Sequence, residues 1–255
     1  MQQCLAIQAD GPARSGWARL WGHRPLQPEA ESWFKGAQGE RQVAAQLEML
    51  GPEYTVLHAV PVGTGDGDID HVVVGPTGVF SINTKNHADR DVWVGGHSLS
   101  INGRKLPHVR KSLQEGARAS QLLSAVAGGP VRVQPLIVVE SASLKFGHTP
   151  PPMPVLRPNE VGRHINSQAR IHSDEAVRYL AMLAEERGTW HVEAVVINDT
   201  LRHVQRFERL EREIAQAARQ RRFMRRAVAL ALLAAPAGAV LGYWWAQAAQ
   251  ALAST

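Results

Sequence analysis

A single cysteine, Cys4, is all the thiol chemistry these 255 residues carry. One thiol forms no intramolecular disulfide, and no Cys/His cluster has the spacing of a structural zinc site, so neither staple is expected and a reducing compartment fits the chain. The first thirty residues lack an uninterrupted apolar core, because Asp10, Arg14, Trp17, Arg19 and Trp21 break them up. They do not read as a cleavable signal peptide, and residues 1–34 are expected to form a poorly ordered leader. No internal repeat is visible, which removes repeat architectures from consideration.

What is present argues for a folded α/β protein with appendages. The chain is 44% hydrophobic and 20% charged, and it is long enough for one well-buried domain on the prior of roughly 150 residues per domain. Its 28 Lys and Arg exceed its 23 Asp and Glu, giving a net charge of +5, which suits an anionic partner such as nucleic acid or a membrane surface.

Charge placement speaks to the membrane. Arg219, Arg221, Arg222, Arg225 and Arg226 stand just before the charge-free stretch 227–246, which ends in Tyr243, Trp244 and Trp245. About 20 helical residues reach roughly 30 Å, a hydrocarbon core, and the aromatics sit where an interfacial belt would be. The sequence therefore predicts one transmembrane helix over 227–246 with the basic flank 219–226 against the membrane. It leaves everything upstream in the cytoplasm and 247–255 as a short tail. A buried Ala-rich helix is the alternative.

Residues 166–226 read as a helical juxtamembrane region without a chemical motif. Ser173 before Asp174 and Glu175 starts one helix, and Leu201, Val204, Phe207, Leu210 and Ile214 are spaced for another over 200–222. The proline-rich stretch 147–160 is an extended connector.

The densest chemistry lies in GDGDIDHVVVGPTGVFSINTKNH, residues 65–87. Two apolar, β-branched runs flank GPTG, so the segment predicts a hairpin. If Gly75 to Gly78 close the loop, Val74 faces Val79, and continuing the register sets Asp70 opposite Asn83 and Asp68 opposite Lys85. Alternation then gives Asp68, Asp70, Asn83 and Lys85 one face while His71, Ile82 and Thr84 take the other. Two readings stay open: the floor of a cleft, where Asp70 holds Mg²⁺ and Lys85 supports a nucleophile, or an exposed strand-end ion pair worth about 0–1 kcal/mol.

A helix is predicted over 36–50 from Val43, Leu47 and Leu50, with Glu40 on its apolar stripe. Glu40 is either a further ligand in the cleft or an acid that complements the helix dipole. Arg104, Lys105, His108, Arg110 and Lys111 gather in 101–112, a place to hold a phosphate backbone or a solvated loop. A helix over 112–126 and a buried strand over 136–139 follow. His58, His71, His87 and His97 are scattered over different elements.

Together, GAQGERQVAAQLEML, the hairpin and VWVGGHSLSINGRKLP resemble the nuclease-related domain NERD, a branch of the PD-(D/E)XK restriction-endonuclease-like superfamily, over roughly residues 35–140. The resemblance implies a mixed central β-sheet flanked by helices, with 35–165 as the domain. It sets the family's helix Glu at Glu40, its Asp at Asp70, and its E-x-K motif at Asn83, Thr84 and Lys85. It implies a Mg²⁺- or Mn²⁺-dependent nuclease with Asp70, Glu40 and Asn83 at the metal and Lys85 completing the catalytic set; beside these, Arg104, Lys105, Arg110 and Lys111 are the basic residues whose clustering suits nucleic acid. The chain departs from the motif at Asn83, an amide in place of an acid, which weakens the expected cation site. The alternatives are a catalytically inactive nucleic-acid- or protein-binding module at the membrane, and a scaffold assembled through 173–222.

Overall fold

The computed structural model describes residues 1–62, 68–190 and 200–253, and within the last stretch the side chains of 203–234, 243–246 and 250. In chain order its helices are α1 (Gln2–Ala9), α2 (Gly16–Leu20), α3 (Glu31–Leu47), α4 (His108–Ala127), α5 (Val161–Asn166), α6 (Asp174–Glu185), α7 (Arg187–Trp190) and α8 (Thr200–Ala253). The strands are β1 (Thr55–Pro61), β2 (Asp68–Gly75), β3 (Gly78–Gly95), β4 (Ser98–Ile101), β5 (Arg104–Leu106), β6 (Val133–Phe146) and β7 (Val155–Leu156). The chain divides into two units, Phe34–Asn198 on the one hand and Met1–Trp33 with Asp199–Thr255 on the other.

The larger unit is built on a mixed sheet with β3 at its centre. β2 and β3 are antiparallel, with Gly75 opposite Gly78, Val74 opposite Val79 and His71 opposite Ile82. This is the register the apolar alternation and the GPTG turn predict. The ladder runs no further than His71 and Ile82, so Asp70 with Asn83 and Asp68 with Lys85 are not cross-strand pairs; Asp68 lies opposite Pro61 of β1. On its other edge β3 runs parallel to β6 from Val79–Val133 to His87–Ser141, and again from Asp91–Ser143 to Val94–Phe146 after a bulge. The path β1-β2-β3-β4-β5 is completed by β6 beside β3 and β7 beside β6.

Alternation along the central strands sorts two cores onto the two faces. Val72, Val74 and Val79 pack with Ala119 and Leu123 of α4 and with Leu180, Ala181 and Ala184 of α6. Val73, Phe80 and Ile82 pack instead with Val43 and Leu47 of α3 and with Val161 and Ile165 of α5. Each fully buried Phe or Ile contributes about 1.5–3 kcal/mol relative to its exposed state. α4 begins at His108 rather than Ser112, and β6 is longer than its expected core of 136–139. α6 starts where the sequence starts it, the Ser173 hydroxyl accepting from the Ala176 N–H at 3.2 Å.

The second unit gives the leader more order than its sequence suggests. Ser15 caps α2 by accepting from Ala18 N at 3.2 Å. The Gln8 amide donates to the Pro25 carbonyl at 2.9 Å and accepts from Gln27 N at 3.0 Å. α8 meets these segments directly, since Gln220 Nε2 donates to the Leu20 carbonyl at 3.0 Å and Arg221 Nε to the Gly22 carbonyl at 3.1 Å. Phe207, Leu210 and Ala217 form its buried stripe.

The described residues do not support the expected transmembrane helix. Residues 227–246 are not a separate element but a continuation of α8 from its Arg-rich turns. Among the described residues no helix is long and apolar enough to cross a membrane. The described side chains of the run cover only 227–234 and 243–246, each far short of the ~20 residues a span requires. Those of 235–242, and of 247–249 and 251–255 in the tail, lie outside the described residues.

Candidate functional site

The face of β3 that is apolar near the turn becomes polar farther along. Ser81, Asn83, Lys85 and His87 follow Val79 at every second position and meet α4. A Cβ at Gly116 would lie 3.2 Å from Ser81 Oγ and 3.0 Å from Pro135 Cβ, Asn83 bonds Glu115, and the His87 and His108 rings stack with centroids 5.8 Å apart. Ser81, Asn83 and Ser112 are buried. Gly116, with no side chain, lets the helix approach closely enough for its flanking acid to reach the strand.

Four side chains converge at this seam. The Thr84 N–H donates to Asp70 Oδ2 at 2.5 Å, so the carboxylate takes a backbone donor just past the end of the β2–β3 ladder. Lys85 Nζ lies 3.9 Å from the same oxygen and donates to the Thr84 carbonyl at 2.9 Å and to Asn83 Oδ1 at 3.4 Å. Asn83 Nδ2 in turn donates to Glu115 Oε2 at 2.5 Å. The neighbours fix the amide's orientation, its donating edge toward an anion and its accepting edge toward a cation.

Burial and crowding of like charge set the electrostatics. Asp70 is pushed up to about 6, by burial first; Lys85 opposes this, Glu40 and Glu115 add to it, and the Thr84 N–H opposes it. Burial also raises Glu115, against the Asn83 hydrogen bond and the charges of Lys85 and Lys111. His108 is driven down to about 4 by burial, then by Lys85, His87 and Lys111, and His87 is lowered by burial, Lys85 and Arg90.

Asp70, Asn83 and Lys85 are thus brought together, whereas Glu40 arrives from α3 on the opposite face. It follows Gly39, where a Cβ would lie 3.0 Å from Asn86 Cβ and 3.2 Å from Thr84 Cγ2, and it acts on Asp70 through its charge. Asp68 is exposed. Arg104 and Lys105 are exposed on the terminal strand β5, just before α4. Arg110 and Lys111 are exposed in the first turn of α4, not in a loop, and of the four it is Lys111 whose charge reaches Glu115 and His108.

Glu115 is the residue that sequence reasoning missed. Its signal is a position between Ser112 and Gly116, on the edge of the small-residue stripe Ser112, Gly116, Ala119 along which α4 closes on the sheet. Three of the four histidines read as scattered have a histidine neighbour: His87 stacks on His108, and His58 Nδ1 lies 2.7 Å from His71 Nδ1. Burial and then His58 take His71 down to about 3.

Among the described residues no three of His, Cys, Asp and Glu are gathered so as to hold a metal ion by themselves. Two carboxylates and an amide are nevertheless the oxygen donors that suit a hard divalent cation, whose remaining positions are ordinarily filled by water and substrate phosphate. The donor set fits Mg²⁺ or Mn²⁺ in that shared sense.

Comparison with known proteins bears on this site. An uncharacterized protein of Bacillus anthracis is 45% identical over 67 residues, which cover 25% of this chain. The match spans 30% of that relative, so the chain covers well under two thirds of it. No solved structure matches. The family model of the nuclease-related domain matches residues 35–139, the stretch holding Glu40, Asp70, Asn83, Lys85 and Glu115, in keeping with a PD-(D/E)XK-like fold. The similarity to the nuclease-related domain, NERD, thus lies within residues 35–139 of this chain.

Proposed function

We propose that this site hydrolyses phosphodiester bonds of DNA or RNA with the help of Mg²⁺ or Mn²⁺. The observation that carries the reading is the part-buried pair Asp70 and Lys85, 3.9 Å apart, within a nuclease-related domain. A bound divalent cation supplies a Lewis acid and lowers the pKa of its water. Asp70 holds that cation in its anionic form, which Lys85 favours and burial opposes. The Lys85 ammonium lies where it can steady an attacking hydroxide or offset charge building on the phosphorus oxygens. Lys111 and Arg110 stand in a first helical turn with no acidic residue, so a substrate phosphate there would meet both the side-chain charge and the positive end of the helix. Arg104 and Lys105 extend the basic surface for a backbone farther along.

The test is the full chain with Mn²⁺ and labelled single- and double-stranded DNA and RNA beside a Lys85→Ala control. Cleavage is expected to fall at least about 100-fold in the variant; wild-type cleavage no greater than the control rejects the reading. Salt-sensitive binding that survives Asp70→Ala and needs no metal would instead make the domain a docking module.

A further inference from the structure

We propose that Glu115 supplies the second carboxylate of the cation site, with Asn83 as the residue that positions it. This rests on the hydrolytic reading above and names the residue that makes good the acid missing from the strand. Asn83 Nδ2 and Glu115 Oε2 are 2.5 Å apart, so the helix carboxylate and the strand amide occupy adjoining places at one point of the seam. Two acids at that separation would repel, each raising the other's proton affinity. An amide partnered with an acid keeps the same contact with one charge fewer. The carboxylate spends one oxygen on the amide and keeps the other for a cation.

Two further features bring Glu115 into the field of Asp70. Lys85 acts on both carboxylates. Gly116 lets α4 come so close that a methyl group there would crowd Pro135 and Ser81. Glu40, the acid the resemblance places at the metal, also acts on Asp70 through its charge, from the helix covering the other face. Asp70 and Glu115 then make the two carboxylates that a magnesium-type site commonly takes from protein.

The test reads metal binding rather than cleavage: isothermal titration of Mn²⁺ into the full chain, with Asp70→Asn, Glu115→Gln, Glu40→Gln and the exchange Asn83→Glu with Glu115→Gln. Loss of a residue that merely supports a ligand lowers affinity about 10–100-fold, so Glu115→Gln is expected to weaken Mn²⁺ binding at least about tenfold, and more than Glu40→Gln does. The exchanged pair keeps a carboxylate–amide hydrogen bond with its ends reversed and is expected to recover most of the wild-type affinity. That variant also separates loss of a ligand from loss of fold, which circular dichroism follows. Wild-type affinity in Glu115→Gln together with loss in Asp70→Asn overturns this proposal and leaves the hydrolytic reading standing. A folded exchange variant no tighter than Glu115→Gln overturns it as well. Unchanged binding in Asp70→Asn overturns both.

Discussion

The two faces of β3 are dressed by similar means to opposite ends. Toward α3 the strand presents Phe80 and Ile82, both fully buried among aliphatic side chains. Toward α4 it presents Val79 and then Ser81, Asn83, Lys85 and His87, with the buried hydroxyls of Ser81 and Ser112 lacking hydrogen-bond partners. Each helix approaches through a glycine, Gly39 or Gly116, and each glycine has a glutamate beside it, Glu40 or Glu115. Each face carries an apolar core and each buries an unpartnered hydroxyl, Thr84 toward α3 and Ser81 toward α4, but the α4 side lines up the longer run of polar groups. A buried polar group without a partner costs about 1–3 kcal/mol, so such a seam persists where the two apolar cores compensate.

The contrast breaks most visibly at Phe80. Phe80→Ala empties the centre of the α3-side core and is expected to cost about 3–5 kcal/mol in denaturant unfolding; a cost below about 1 kcal/mol would mean that this face does not carry the fold. Gly116→Ala is expected to cost about 1–3 kcal/mol, because its methyl meets Pro135 at 3.0 Å in a closed packing, again read by denaturant midpoint.

Asp70→Asn should move stability the other way. The folded protein holds the Asp70 proton to about pH 6, whereas an unfolded aspartate releases it near 3.9. Between those values the native state binds more protons, so this group's contribution falls as pH rises from about 4 to about 6. Asparagine can still accept from the Thr84 N–H. The variant is expected to be more stable by on the order of 1–3 kcal/mol at pH 7.5, with a flatter melting-temperature profile across that window; an unchanged profile would contradict the electrostatic picture. His71 works in the opposite sense: its lowered pKa gives stability that is present above about 6.5 and lost as pH falls toward about 3. The smallest effect belongs to Ser81→Ala, which removes a hydroxyl with no partner and is expected to change stability by less than about 1 kcal/mol.

Those contrasts also mark what the sequence made legible. The hairpin register could be read residue by residue, because Val72, Val74, Val79 and Ser81 alternate around a turn whose glycines are unmistakable, and a one-residue slip would have turned the apolar set outward. The gathering of Asp70, Asn83 and Lys85 followed from that register, even though Asp70 reaches β3 through its carboxylate and not through a backbone pair. Glu115 was hidden because its meeting with Asn83 depends on how a helix settles on a sheet, a tertiary choice that spacing within α4 does not specify. Glu40 was legible as an acid on the apolar stripe of its helix, and its charge does act on Asp70 although α3 covers the other face of the sheet. The leader's helices were missed because their anchors are side-chain to backbone bonds, from Gln8 and Arg221, between residues far apart in sequence. The membrane span was read from a charge-free run with its basic flank and terminal aromatics, and the described part of α8 holds no stretch that meets the need.

The bond from the Thr84 amide to Asp70 joins a peptide group of the central strand to the side chain expected to meet substrate. Anything that claims that carboxylate, whether a proton or an ion, competes with a main-chain donor for it. Occupancy should therefore be legible in the solvent-exchange rate of one amide, at position 84, while the neighbouring amides bonded to β6 keep their protection.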